Sequence, residues 1–76
     1  MKRNEALLKK RLGDRLRNIR IDKGLSLEQV SNLTGLSINT LHSAELGRTM
    51  VKSIHLYYIT QVLGYSLDKL FQEVNK

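Results

Sequence analysis

Glycine and serine divide this chain into short segments, and proline is absent. Gly24 precedes Ser26, Gly35 precedes Ser37, Gly47 precedes Ser53, and Gly64 precedes Ser66. A glycine ends a helix by adopting the left-handed conformation at its C-terminus. A serine starts one by accepting a hydrogen bond from the unpaired N–H groups of the first turn. Between these marks apolar residues recur at helical spacing, and β-branched residues never alternate over a strand-length run. The chain therefore reads as all-α, with five short helices joined by tight turns and no repeats, linkers or low-complexity segments.

Leu8, Leu12, Leu16, Ile19 and Lys23 trace a basic amphipathic first helix that stops at Gly24. Gly13 interrupts its stripe, and a mid-helix glycine costs roughly 1 kcal/mol relative to alanine. The packed domain is accordingly expected over residues 12–71, with 1–11 a frayed or extended helical arm and 72–76 a tail. The second helix starts after Ser26, with Glu28 and Gln29 in a first turn that favours acids and with Val30 and Leu33 buried. Ser37 caps a third helix running to about Glu45, with Leu41 and Ala44 facing inward. Ser53 opens a fourth, whose inner face is Leu56, Ile59 and Leu63 with Tyr57 or Thr60. Ser66 caps a fifth, where Leu67, Leu70 and Phe71 close the core. Tyr57 and Tyr58 are expected to be half-buried, and His55 exposed.

Composition then narrows the function. Seventy-six residues make one core. The absence of cysteine removes disulfides and thiolate metal sites and fits a reducing cytoplasm. No run approaches the roughly 18 apolar residues of a membrane span, so a soluble cytoplasmic domain is expected. His42 and His55 lack a third ligand, so no metal or other cofactor is expected. No phosphate-cradling glycine loop and no carboxylate pair on a concave apolar surface is present, which argues against an enzyme. The whole net charge of +6 is carried by residues 1–24, where Lys2, Arg3, Lys9, Lys10, Arg11, Arg15, Arg17, Arg20 and Lys23 face only Glu5, Asp14 and Asp22. A basic end on a neutral body points to an anionic partner, nucleic acid ahead of membrane; the plainer alternative is a solvated helix face.

The second and third helices carry the decisive spacing. Small Ser31, Gly35 four residues on and Leu41 six beyond that describe two helices meeting nearly at right angles through a turn of a few residues. This is the spacing of a helix-turn-helix, whose second helix enters a DNA major groove. Ile38, Asn39, Thr40, His42 and Ser43 would share that helix's outer face, where amide, hydroxyl and imidazole groups of modest length suit groove reading.

At these residues the sequence resembles the Cro/repressor (Xre-type) helix-turn-helix DNA-binding family. The resemblance spans Leu12 to Phe71, about 60 of 76 residues, and its matching stretches are LGDRLRNIRIDKGLS, LEQVSNLTGLSINTLHSAELG and YYITQVLGYSLDKLF. The resemblance implies a five-helix, lambda-repressor-like domain acting as a transcriptional regulator, a repressor, on double-stranded DNA. It places Ile38, Asn39, His42 and Ser43 where the family reads base edges, with Ile38 either touching a thymine methyl or packing on the first helix. Thr40 and Arg48 fall where the family touches phosphate, and Lys52 in the following loop is given the same role. Arg20 and Glu45 match an internal ion pair that holds the first helix to the recognition helix. Arg3 and Lys10, ahead of the match, are assigned to phosphate on charge alone, with a dimer or partner contact through Leu7 and Leu8 as the rival.

Three positions depart from the family pattern. Leu27 stands where glutamine often grips phosphate, Leu46 where a polar residue is usual, and Val51 near a customary proline. With Met50 they leave apolar groups on the surface. Two functions therefore stand beside each other: a regulator binding a palindromic operator as a homodimer, and a protein-interaction module such as an antitoxin or switch subunit that docks a regulatory protein through residues 46–51. An amphipathic membrane anchor built from residues 1–20 is the third and weakest.

Overall fold

The computed structural model describes residues 4–75, which form five helices: α1 (Glu5–Asp22), α2 (Leu27–Thr34), α3 (Ile38–Glu45), α4 (Ser53–Leu63) and α5 (Leu67–Val74). The serine caps fall as the sequence implies. Ser26, Ser37 and Ser66 each accept a hydrogen bond from the third residue onward, and Ser26 and Gln29 exchange bonds in a full capping box. At α4 the cap position is Lys52, which makes no side-chain cap bond.

Gly13 does not interrupt α1. The helix starts at Glu5, capped by Asn4, and runs through Gly13 without a break. Its glycine is instead a contact point. A Cβ there would stand 2.4 Å from the carbonyl oxygen of Ala44 and 2.6 Å from that of Glu45. The C-terminal turn of α3 thus lies on the bare backbone of α1, closer than any side chain would permit. Helix propensity alone, the sequence-level measure of this glycine, says nothing of what its lack of a Cβ allows.

The core is Leu12, Leu16, Ile19, Val30, Leu41, Leu56, Ile59, Leu63, Leu70 and Val74. Leu8 packs against it, so the packed body reaches ahead of Leu12 as well as past Phe71 to Val74. Two expected core residues lie outside. Leu33 is 64% exposed, because α2 buries the stripe Leu27, Val30, Ser31 and Thr34, and Leu33 falls off that period. Phe71 is 41% exposed, since fully buried Leu70 takes the inward position one residue earlier. Thr60, not Tyr57, completes the inner face of α4, and both Tyr57 and Tyr58 are exposed.

Candidate nucleic-acid interface

The turn between α2 and α3 is held by short polar groups. Gly35 ends α2 at φ +79°, and its N–H donates to the Ser31 carbonyl. The Ser31 hydroxyl donates to the Leu36 carbonyl at 2.6 Å, so its small size serves a bond across the turn as well as close approach. Thr34 donates to the Val30 carbonyl and accepts from the Leu36 N–H. Together these local bonds fix the angle between the two helices.

Two inward anchors and one ion pair set the orientation of α3. Leu41 and Ala44 are buried. Arg20 on α1 grips Glu45 with both arms of its guanidinium, at 2.7 and 3.0 Å, and donates a third bond to the Leu25 carbonyl at 2.7 Å. Both side chains are nearly withdrawn from solvent, 12% and 8% exposed, and the pairing raises the Arg20 pKa above its ordinary value. A bidentate pair of this kind constrains direction as well as distance. It ties α1 to the last turn of α3 beside the Gly13 contact.

With its inner side fixed, α3 presents the rest of its surface. Ile38, Asn39, Thr40 and His42 are exposed and Ser43 is half-buried. Asn39, Thr40 and Ser43 form one wall of an open cleft of about 400 Å³, faced by Thr49, Met50, Val51, Lys52 and His55. Ile38 and His42 lie on the outer face of α3 beyond it. Thr40 accepts a hydrogen bond from the Ser37 hydroxyl at 2.8 Å, which aims its own hydroxyl. Arg48 is exposed just past α3, where Gly47 at φ +72° and the bond from the Arg48 N–H to the Ser43 carbonyl close the helix in a Schellman turn. Lys10 is on α1, away from the cleft, and Arg3 lies outside the described residues.

The family model described as a helix-turn-helix domain matches residues 13–76. This chain belongs to the helix-turn-helix family. Among solved structures, this helix-turn-helix domain is similar to the clp gene regulator ClgR from Corynebacterium glutamicum. One crystal structure of ClgR superposes with a TM-score of 0.84 at 32% identity, covering 90% of this chain and 72% of that one. A second gives 0.83 at 32% identity, covering 90% and 88%. No curated protein matches the sequence.

Sequence reading missed three parts of this domain. His55, expected on the open surface, is half-buried and lines the cleft opposite Asn39. Its register on α4, one residue before buried Leu56, was the available signal. Leu27 and Val51, expected among the exposed apolar residues, pack against the core, so that only Leu46 and Met50 of that set remain open. The third is a polar junction in which Arg15 donates to both carboxylate oxygens of Glu73, at 3.1 and 2.9 Å, and to the Tyr65 hydroxyl at 3.0 Å. Tyr65 in turn donates to Glu73. Arg15 and Tyr65 together hold the Glu73 carboxyl below its usual pKa. Partners 58 residues apart leave no local pattern to read. Among the described residues no group of acids and histidines could hold a metal ion, and no helix is long and apolar enough to cross a membrane.

Proposed function

We propose that this chain is a sequence-specific transcriptional regulator, a repressor, that binds duplex DNA by placing α3 in the major groove. The observation that carries the reading is the outer surface of α3. Short hydrogen-bonding groups stand on a helix whose opposite side is locked by Leu41, Ala44 and the Arg20–Glu45 pair. A helix held this firmly from behind, with its front open to solvent, suits insertion into a groove. The 32% identity to a gene regulator supports the same direction.

The roles follow from chemistry and place. Asn39 has the amide that pairs with adenine in two bonds, while Ser43 and His42 offer single donors or acceptors, and Ile38, 44% exposed, offers an apolar contact for a thymine methyl. Thr40, Arg48 and Lys52 flank those groups and take phosphates, which fix register without reading sequence. Arg3 is assigned to phosphate by charge. A single module contacts few base pairs, so the chain acts as a homodimer on a palindromic operator with half-sites about one helical turn apart.

Selection from random duplex DNA tests this directly. A palindrome with two half-sites roughly 10 base pairs apart is expected, and enrichment of no sequence would refute base reading. The protein-docking alternative rests on exposed Leu46 and Met50 alone.

A further inference from the structure

The first turns of α1 carry cations that neither the core nor the family match accounts for. The match begins at Gly13, so Lys9 and Lys10 precede it. Yet these turns are built into the domain. Leu8 packs on the core. A Cβ on Gly47 would stand 2.9 Å from the Lys10 Cα, 3.2 Å from its N and 3.3 Å from the Lys9 carbonyl carbon. The backbone of α1 therefore touches the backbone at the exit of α3.

Arg48 follows Gly47 directly, so Lys10 and Arg48 leave neighbouring points on two elements that are fixed to each other. Both are exposed. The ion pair of Lys10 with Asp14 is a solvent-exposed contact at 2.8 Å, weak in water and readily exchanged. Gathering cations at one junction raises the local positive potential, which a polyanion relieves. Long flexible ammonium and guanidinium groups suit phosphate oxygens, which carry no sequence information.

We propose that this junction is a second phosphate-binding surface: a helical ledge of Lys9 and Lys10 beside Arg48 that extends the duplex-DNA footprint past the end of α3. The proposal rests on the DNA-binding reading and adds to it a rigid, sequence-independent contact outside the span of the family match. Its ligand is the sugar–phosphate backbone of the DNA that α3 reads.

The test is the salt dependence of binding for the wild-type chain and for Lys9→Gln/Lys10→Gln, in which glutamine preserves helix propensity. Removing one lysine–phosphate interaction should flatten the slope of log K against log salt by about 0.9. A change between about 0.9 and about 1.8 is expected for the pair. Affinity for the selected operator and for random duplex should fall by the same factor, with the thermal midpoint unchanged. A slope equal to that of a salt-dependent wild type would overturn the ledge and leave the reading of α3 intact. A wild type with no duplex affinity would overturn both. Should the variant fail to fold, titrating the wild type with random duplex decides the matter by NMR. Amide shifts at residues 8–11 support the ledge, and their absence beside shifts at residues 39–43 refutes it.

Discussion

Substituting Gly13 by alanine sets two effects of opposite sign against each other. Alanine stabilises an exposed helix interior by roughly 1 kcal/mol relative to glycine. At this position, however, the added methyl would stand 2.4 and 2.6 Å from the carbonyl oxygens of Ala44 and Glu45. Those atoms belong to the backbone of α3, so no side-chain rotation relieves the clash. The two helices must part by several tenths of an ångström or more, and overpacking of this kind typically costs about 1–3 kcal/mol. Because rigid backbone sits on both sides, the upper end of that range applies, leaving a net loss of about 1–2 kcal/mol after the propensity gain. In a domain of this size each kcal/mol moves the midpoint by roughly 4–8 °C. Thermal unfolding followed by circular dichroism should therefore show a fall of about 5–15 °C. The displaced α3 should also bind its operator more weakly at temperatures where the variant is fully folded. A midpoint raised by several degrees would instead mean that propensity governs Gly13 and that the helices do not meet there.

Arg20→Ala should lose about 3–5 kcal/mol, because it strands the nearly buried Glu45 carboxylate. The double change Arg20→Met/Glu45→Leu should recover most of that loss in thermal melts, and an unmoved midpoint with abolished DNA binding would reassign Arg20 as a contact. The Glu73 carboxyl, held below the ordinary value of about 4.3 by Arg15 and Tyr65, contributes stability that is complete above that pH and is lost as pH falls through its lowered folded-state pKa. Glu73→Gln should consequently flatten the stability profile on the acid side, as read by urea titrations across pH 2–6 (roughly the span around that pKa), and an unaltered profile would count against the junction. Leu33→Ser should shift stability by less than about 0.5 kcal/mol, whereas Leu70→Ala should cost about 2–5 kcal/mol; similar losses at the two sites would contradict the exposure of Leu33.

The ends of α2, α3 and α4 and the start of α5 are legible in the sequence because their signals are local, whereas the start of α1 at Glu5 and the end of α5 at Val74 are not. A serine cap and a left-handed glycine act within four residues of themselves, as at Ser26, Gly35 and Ser37. The Arg20–Glu45 pair is legible only through resemblance, since nothing in the spacing of residues 25 apart demands contact. What escapes depends on tertiary approach. Gly13 and Gly47 matter for the backbone that lies against each of them, which periodicity cannot register. Leu33 and Phe71 are misplaced when apolar type is given more weight than period; the stripes of α2 and α5 pass beside them. The Arg15–Tyr65–Glu73 junction joins the two ends of the chain, and each of its residues, read singly, looks like an ordinary solvated side chain.

If the exposed face of α3 reads bases, its substitutions must change the ratio of specific to non-specific affinity. Asn39→Ala and Ser43→Ala each remove a short polar group from that face without touching the core. Binding to the selected operator and to a random duplex of equal length, at one salt concentration, gives the ratio for each variant. Abolishing one hydrogen-bonded base pairing of this kind should weaken operator binding by about 1–3 kcal/mol and relax the preference at one base pair. Random-duplex affinity and the thermal midpoint should stay as in the wild type. Equal weakening on both duplexes, with the ratio unchanged, would contradict base reading by α3.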